Sequence, residues 1–293
     1  MANFDDLLNG GQGGGQLSKE EYAAKKKAER DEVYALADQT ALEVASDGGK
    51  FQQYLDVQGR FDRYSVNNAL LILAQRPDAT RFGELKYWRT QKVFIKSSEL
   101  KNGFTILKQG DEYRRRDGGV GVSYLPTTVY DISQAERKIL PPQAPVYEER
   151  QILSALISKA PVSIIGVDEL PGDLGAMTDP ETGNIIVLKG MGFDDTFRSV
   201  AQELCLAELN NANEEQGDPR FSAECAAYLL CKKYGADTQE FSFDESPNVF
   251  SGMDAQAIKG ELSQIREAAE NVSGRMARQL NAVDKAAKNN EAR

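Results

Sequence analysis

Residues 198–209 read RSVAQELCLAEL, and the reading of this stretch decides the fold. Apolar residues recur at helical spacing, so the stretch is a helix with one buried face. Within it runs Gln202-Glu203-Leu204-Cys205-Leu206. An H-E-x-x-H segment in this frame sets two imidazoles one turn apart to hold zinc, with the Glu as general base. Here the acid is kept as Glu203, while Gln202 and Leu206 stand at the two ligand positions. The chain contains no His, so no imidazole-ligated zinc site can form anywhere in it.

Working outward, the 293 residues are enough for two modest domains. Apolar content of 41% and charged content of 27% are those of a globular protein. There is no apolar run long enough to span a membrane. The N-terminus, MANFDDLLNGGQGGGQ, has no apolar core like that of a signal peptide. Cys205, Cys225 and Cys231 match neither a disulfide framework nor a CxxC zinc pair. They read as buried thiols, and the expected location is the cytoplasm. Net charge is −10, distributed as −4 over residues 1–50, +5 over 51–140 and −11 over 141–293. A basic block inside an acidic chain points to a local polyanion site, and scattered surface charge is the plainer alternative.

Residues 1–17 are expected to be disordered. Ser18 and Glu21 form a capping box that opens a helix from Lys19 to about Ala45, with Tyr34, Leu36, Ala41 and Val44 inward and Asp47-Gly48-Gly49 as its stop. Short helices follow over Phe51–Gln58 and after Ser65. Val93–Ile95, Phe104–Leu107, Val120–Tyr124 and Thr128–Ile132 read as strands of a small antiparallel sheet. Three prolines in 139–146 mark a domain boundary. Beyond it come a helix near Glu148–Lys159, strands at Val162–Val167 and Asn184–Leu188, the 195–211 helix, and an Arg220–Tyr234 helix capped by Gly235. From Ile258, steps of three and four through Leu262, Ile265, Ala269, Val272, Met276, Leu280, Val283 and Ala287 trace one long amphipathic helix. It is expected to pack on its own chain, with a coiled-coil dimer as the alternative. The expected class is α+β: 18–140 as one domain, 147–250 as a second, and 251–293 as the C-terminal helix.

The order strand, turn, edge-type strand, helix around QELCLAE resembles zincin-like metallopeptidases. In that fold the edge strand lies beside the active-site helix and binds substrate. The resemblance implies a third ligand from a following helix, where PRFSAECAAYLLCKKYG offers Glu224. The vestigial set is Gln202, Glu203, Leu206 and Glu224. An amide is a weak zinc ligand and an aliphatic side chain is none, so no metal, no cofactor and no peptidase activity are expected. Two other readings stay open. A hard cation could be held by Glu203, Glu224 and Asp194 or Asp195, or the helix could be an ordinary amphipathic one.

Tyr64-Ser65-x-x-Asn68, Gln75-x-Pro77-x-Ala79-Thr80, Trp88, Val93–Glu99 and Tyr130-Asp131-x-Ser133-Gln134 resemble the N-terminal domain of ArdC-type antirestriction proteins and their LtrC-like and TraC-type relatives. Ser97-Ser98 stands where Lys-Gly is usual, and Ala135 where Thr is usual. The resemblance implies binding of single-stranded DNA without strong sequence preference by the first domain. It also implies service to a plasmid, conjugative element or phage, with a host defence or restriction protein as a second partner. The residues permit strand binding on their own terms, because such binders combine backbone-tracking cations with stacking rings. Arg81, Lys86, Arg89, Lys92 and Lys96 surround Tyr87, Trp88 and Phe94. Arg63, Tyr64 and Asn68 sit at a helix start, which favours phosphate. Plainer roles stand beside these: Trp88 and Phe94 as core, Tyr64, Ser65 and Asn68 as a helix cap, and Arg114–Arg116 as a solvated hairpin tip. A rival reading makes the acidic 141–293 half an inhibitor or adaptor that binds a host protein.

Overall fold

The computed structural model describes residues 18–115, 118–137, 145–211 and 218–291. The segment expected to be disordered (1–17), residues 139–144 of the expected 139–146 linker, and Arg116 lie outside the described residues. Helix α1, Lys19–Ala45, opens on the Ser18 capping box. Ser18 Oγ accepts from the Glu21 N–H at 3.1 Å, and Glu21 Oε2 accepts from the Ser18 N–H at 2.8 Å. Helix α2, Gly48–Arg60, starts three residues earlier than its apolar pattern implies, because Asp47 caps it. Gly48 is required there: a Cβ would come within 2.7 Å of the Phe243 carbonyl oxygen. Helix α3, Val66–Gln75, is capped by Ser65.

A three-stranded antiparallel sheet has the order β1-β3-β2, from Phe82–Gly83, Phe104–Arg114 and Val120–Asp131. The stretch Val93–Ile95 is not a strand; only Ile95 forms an isolated bridge, to Ala135. The preceding segment, Leu85–Thr90, is helix α4. A second small sheet has the order β4-β6-β5, from Ile164–Val167, Ile185–Leu188 and Ala176–Thr178. Helix α5, Glu149–Ile157, precedes it. Helices α6 (Phe193–Asn211), α7 (Pro219–Tyr234), α8 (Ser246–Val249) and α9 (Ala255–Glu291) follow.

The two halves of the chain share a single core. Phe51 of α2 has its ring 5.5 Å from Phe221 of α7, 5.8 Å from Phe243 and 5.4 Å from Phe250. Asp56 of α2 accepts from the Tyr228 hydroxyl at 2.8 Å and pairs with Lys232 at 2.9 Å. Asp62 pairs with Lys233 at 2.7 Å, and Asp38 of α1 with the buried Lys259 of α9. The α9 stripe from Ile258 to Leu280 is buried against its own chain. Cys205, Cys225 and Cys231 are free and buried. Among the described residues, no helix is long and apolar enough to cross a membrane.

Candidate nucleic-acid interface and the Glu203 helix

A groove of about 660 Å³ opens between the α2–α3 connection, β1, the start of α4 and the β2–β3 hairpin. It gathers Arg63, Tyr64, Tyr87, Lys108, Gln109 and Tyr124 around Phe82 and Ile106. Tyr87 is 42% exposed, and one edge of its ring packs against Gly83, where an added Cβ would meet Cδ1 at 2.3 Å. The glycine therefore permits the ring to sit against the backbone. Tyr64 is half-buried, 4.9 Å from the Phe82 ring, and burial pushes its hydroxyl pKa up. Lys108 pairs with Glu84, whereas Arg63 is exposed and has no carboxylate in ion-pair range among the described residues.

A second groove, also about 660 Å³, is lined by Arg81, Gln91, Lys92, Val93, Phe94, Glu136 and Arg137. Phe94 is 61% exposed, so it is a surface ring and not core. Lys92 occupies the left-handed region at φ 56° in the turn that ends α4. Arg81 lies 5.1 Å over the Trp88 ring. Lys86, Arg89 and Lys96 are exposed on the same segment.

Two of the expected DNA contacts are structural. Trp88 is fully buried with Val93, Ile95, Tyr130 and Ala135, and its Nε1–H donates to the Tyr130 carbonyl at 2.9 Å. An indole enclosed on all sides offers no face to a base. Asn68 is also buried: its amide nitrogen donates to the Leu107 carbonyl at 2.9 Å, and its oxygen accepts from the Leu107 N–H at 2.7 Å. Two helical turns on, Gln75 makes the same pair with Thr105, both bonds at 2.9 Å. The outer edge of β2 would otherwise leave these groups unpaired, so two side-chain amides act as a surrogate strand. Asp131 is a third structural member. Its carboxylate accepts from the N–H groups of Thr80, Arg81 and Ser133. Burial raises its pKa, but these bonds outweigh burial and hold it below the ordinary value.

Sequence reasoning missed Lys108, Gln109 and Tyr124. The signal available was the polar and aromatic character of the outer hairpin: Tyr124 falls in an expected strand, while Lys108 and Gln109 lie past the end of the expected Phe104–Leu107 strand, which runs on to Arg114.

Glu203 of α6 is buried, and Thr178 Oγ1 donates to its Oε2 at 2.6 Å. Leu206 is buried apolar packing, and Gln202 is half-buried. Glu224 on α7 is half-buried, and burial pushes its pKa up. The strand Ile185–Leu188 is central, parallel to β4 and antiparallel to β5. It therefore has no free edge for a substrate, correcting the expected edge strand; β4 and β5 are the edge strands, and β5 supplies Thr178 to Glu203. The donors present do not fit a zinc ion, since one position is aliphatic and the surviving acid is engaged by a hydroxyl. Among the described residues, no group of three or more Cys, Asp or Glu side chains is arranged to hold a metal.

No family model matches the chain. It is 24% identical to the uncharacterized protein pXO2-81 of Bacillus anthracis, covering 92% of this chain and spanning about half, 54%, of that protein's length. Among solved structures it is similar to the antirestriction protein ArdC from the R388 plasmid. In the metal-free form the TM-score is 0.48 at 15% identity over 73% of this chain and 86% of that one; in the Mn(II)-bound form it is 0.49 at 14% identity over 73% and 85%.

Proposed function

We propose that this protein binds single-stranded DNA, without strong sequence preference, along the groove bounded by Arg63, Tyr64, Tyr87 and Tyr124, and that it serves a mobile element in an antirestriction or anti-defence role. The observation that carries the binding step is the exposed Tyr87 ring, packed against Gly83, in the same groove as an unpaired Arg63. A fixed ring next to a backbone-tracking cation is the minimal unit of sequence-tolerant strand recognition. The +5 charge of residues 51–140 within an acidic chain supports a local site for a polyanion. The mobile-element role rests on the ArdC-like motifs in the sequence.

Titration of a fluorescent oligo-dT at several salt concentrations tests the binding. The affinity is expected to fall on a log–log plot with a slope of about −0.7 per neutralised phosphate. Tyr87→Ala should weaken binding by about 1–3 kcal/mol, and Arg63→Ala should flatten the slope. Binding that is absent at low salt, or that ignores salt, refutes the reading.

The second half reads as an inactive metallopeptidase-like scaffold. Without ligands at 202 and 206, water keeps its high pKa, and Glu203 has no activated nucleophile to form. Elemental analysis of purified protein is expected to find no stoichiometric zinc, and Gln202→His with Leu206→His should introduce zinc affinity. One tightly held zinc in the wild type would overturn this assignment.

A further inference from the structure

We infer that the binding path does not end at the groove but continues outward along one face of the β2–β3 hairpin, with Tyr113 as its distal stacking platform. This rests on the reading of the groove as a single-strand site. The pairing Ile106↔Thr127 and Lys108↔Leu125 puts those residues on one face, together with Ser123 and Gly121 at alternate positions of β3. The bulge between Gln109 and Glu112 keeps β2 in step with that face. A Cβ on Gly110 would meet Ser123 Oγ at 2.7 Å, and one on Gly121 would meet the Tyr113 ring at 2.6 Å. Tyr113 therefore packs against Gly121, as Tyr87 packs against Gly83, and it is 52% exposed.

The face has a regular composition. Lys108 stands at its root and the Arg115 guanidinium lies beside Gly121, 3.0 Å from where a Cβ would sit. Between them Gly110 lets Ser123 and Leu125 close over the backbone, and Leu125 is exposed. Glu112 pairs with Val122 and so falls on the opposite face. Cations at both ends and a platform at each end suit an extended chain of phosphates and bases, and the surface is continuous with the groove through Lys108. From Lys108 to Tyr113 the strand spans roughly 15 Å, which gives room for further nucleotides beyond those in the groove.

The test compares oligo-dT of about 4 and about 16 nucleotides, the span of single-domain site sizes. Tyr113→Ala in the full chain is expected to weaken binding of the longer oligonucleotide about tenfold and to leave the shorter one unchanged. Tyr113→Phe, which keeps the ring, should restore the longer one. Tyr87→Ala should weaken both. Unchanged affinity for the longer oligonucleotide in Tyr113→Ala, or equal loss on both lengths, overturns the hairpin path while leaving the groove standing. Loss of nothing in Tyr87→Ala as well, or no binding by the wild type at either length, overturns the groove and the path together.

Discussion

Trp88→Ala is expected to cost about 3–5 kcal/mol of folding stability, the largest single effect among the residues of the basic segment. The ring packs in a satellite core with Val93, Ile95, Tyr130 and Ala135, and its truncation leaves a cavity among them. It also strands the Tyr130 carbonyl, which accepts from the indole N–H. The consequence reaches the surface, since Arg81 rests on that ring and the turn that holds Lys92 returns its chain to the Trp88 carbonyl through the Val93 N–H at 2.9 Å. Thermal melting should show a fall of roughly 5–8 °C. Any loss of DNA affinity should track the unfolded fraction. A variant that melts like wild type yet loses affinity would put the indole back at the interface.

Asn68→Ala is the second. The substitution removes both partners of the Leu107 backbone, and each buried group left unpaired costs about 1–3 kcal/mol. Asn68→Asp is expected to be no milder, because the carboxylate keeps the acceptor for the Leu107 N–H but faces the Leu107 carbonyl without a donor. Urea unfolding measures the loss, and faster hydrogen exchange at the Leu107 amide locates it. Stability within about 0.5 kcal/mol of wild type would show that water replaces the amide and that the edge of β2 is not held by α3.

These two residues show what the sequence carried and what it did not. Capping chemistry is local, so Ser18 with Glu21, and Ser65, were legible as helix starts. The apolar stripe of α9 was legible because its period is long and unbroken. The motif Tyr64-Ser65-x-x-Asn68 through Gln75 and Asp131 was visible too, but its use was not. Asn68 and Gln75 reach a strand 30 to 39 residues away, and such long-range pairing has no local signature. The residues that make a recognisable pattern are largely those that brace the sheet. Lys108 and Tyr124, which line the groove, lie outside those motifs and came only from the fold. The order of the second sheet was likewise hidden, because Ile185–Leu188 reads the same whether a strand lies on one side of it or both.

The aromatic cluster around Phe51 belongs to both halves of the chain, and this sets how the protein can be divided or inherited. A polypeptide cut in the proline-rich stretch near 140 would bare Phe221, Phe243 and Phe250 on one piece and Phe51 on the other. Neither piece would keep a closed interior, so a chimaera that swaps one half alone would yield an aggregating product. The basic half and the acidic half must therefore be kept as one unit.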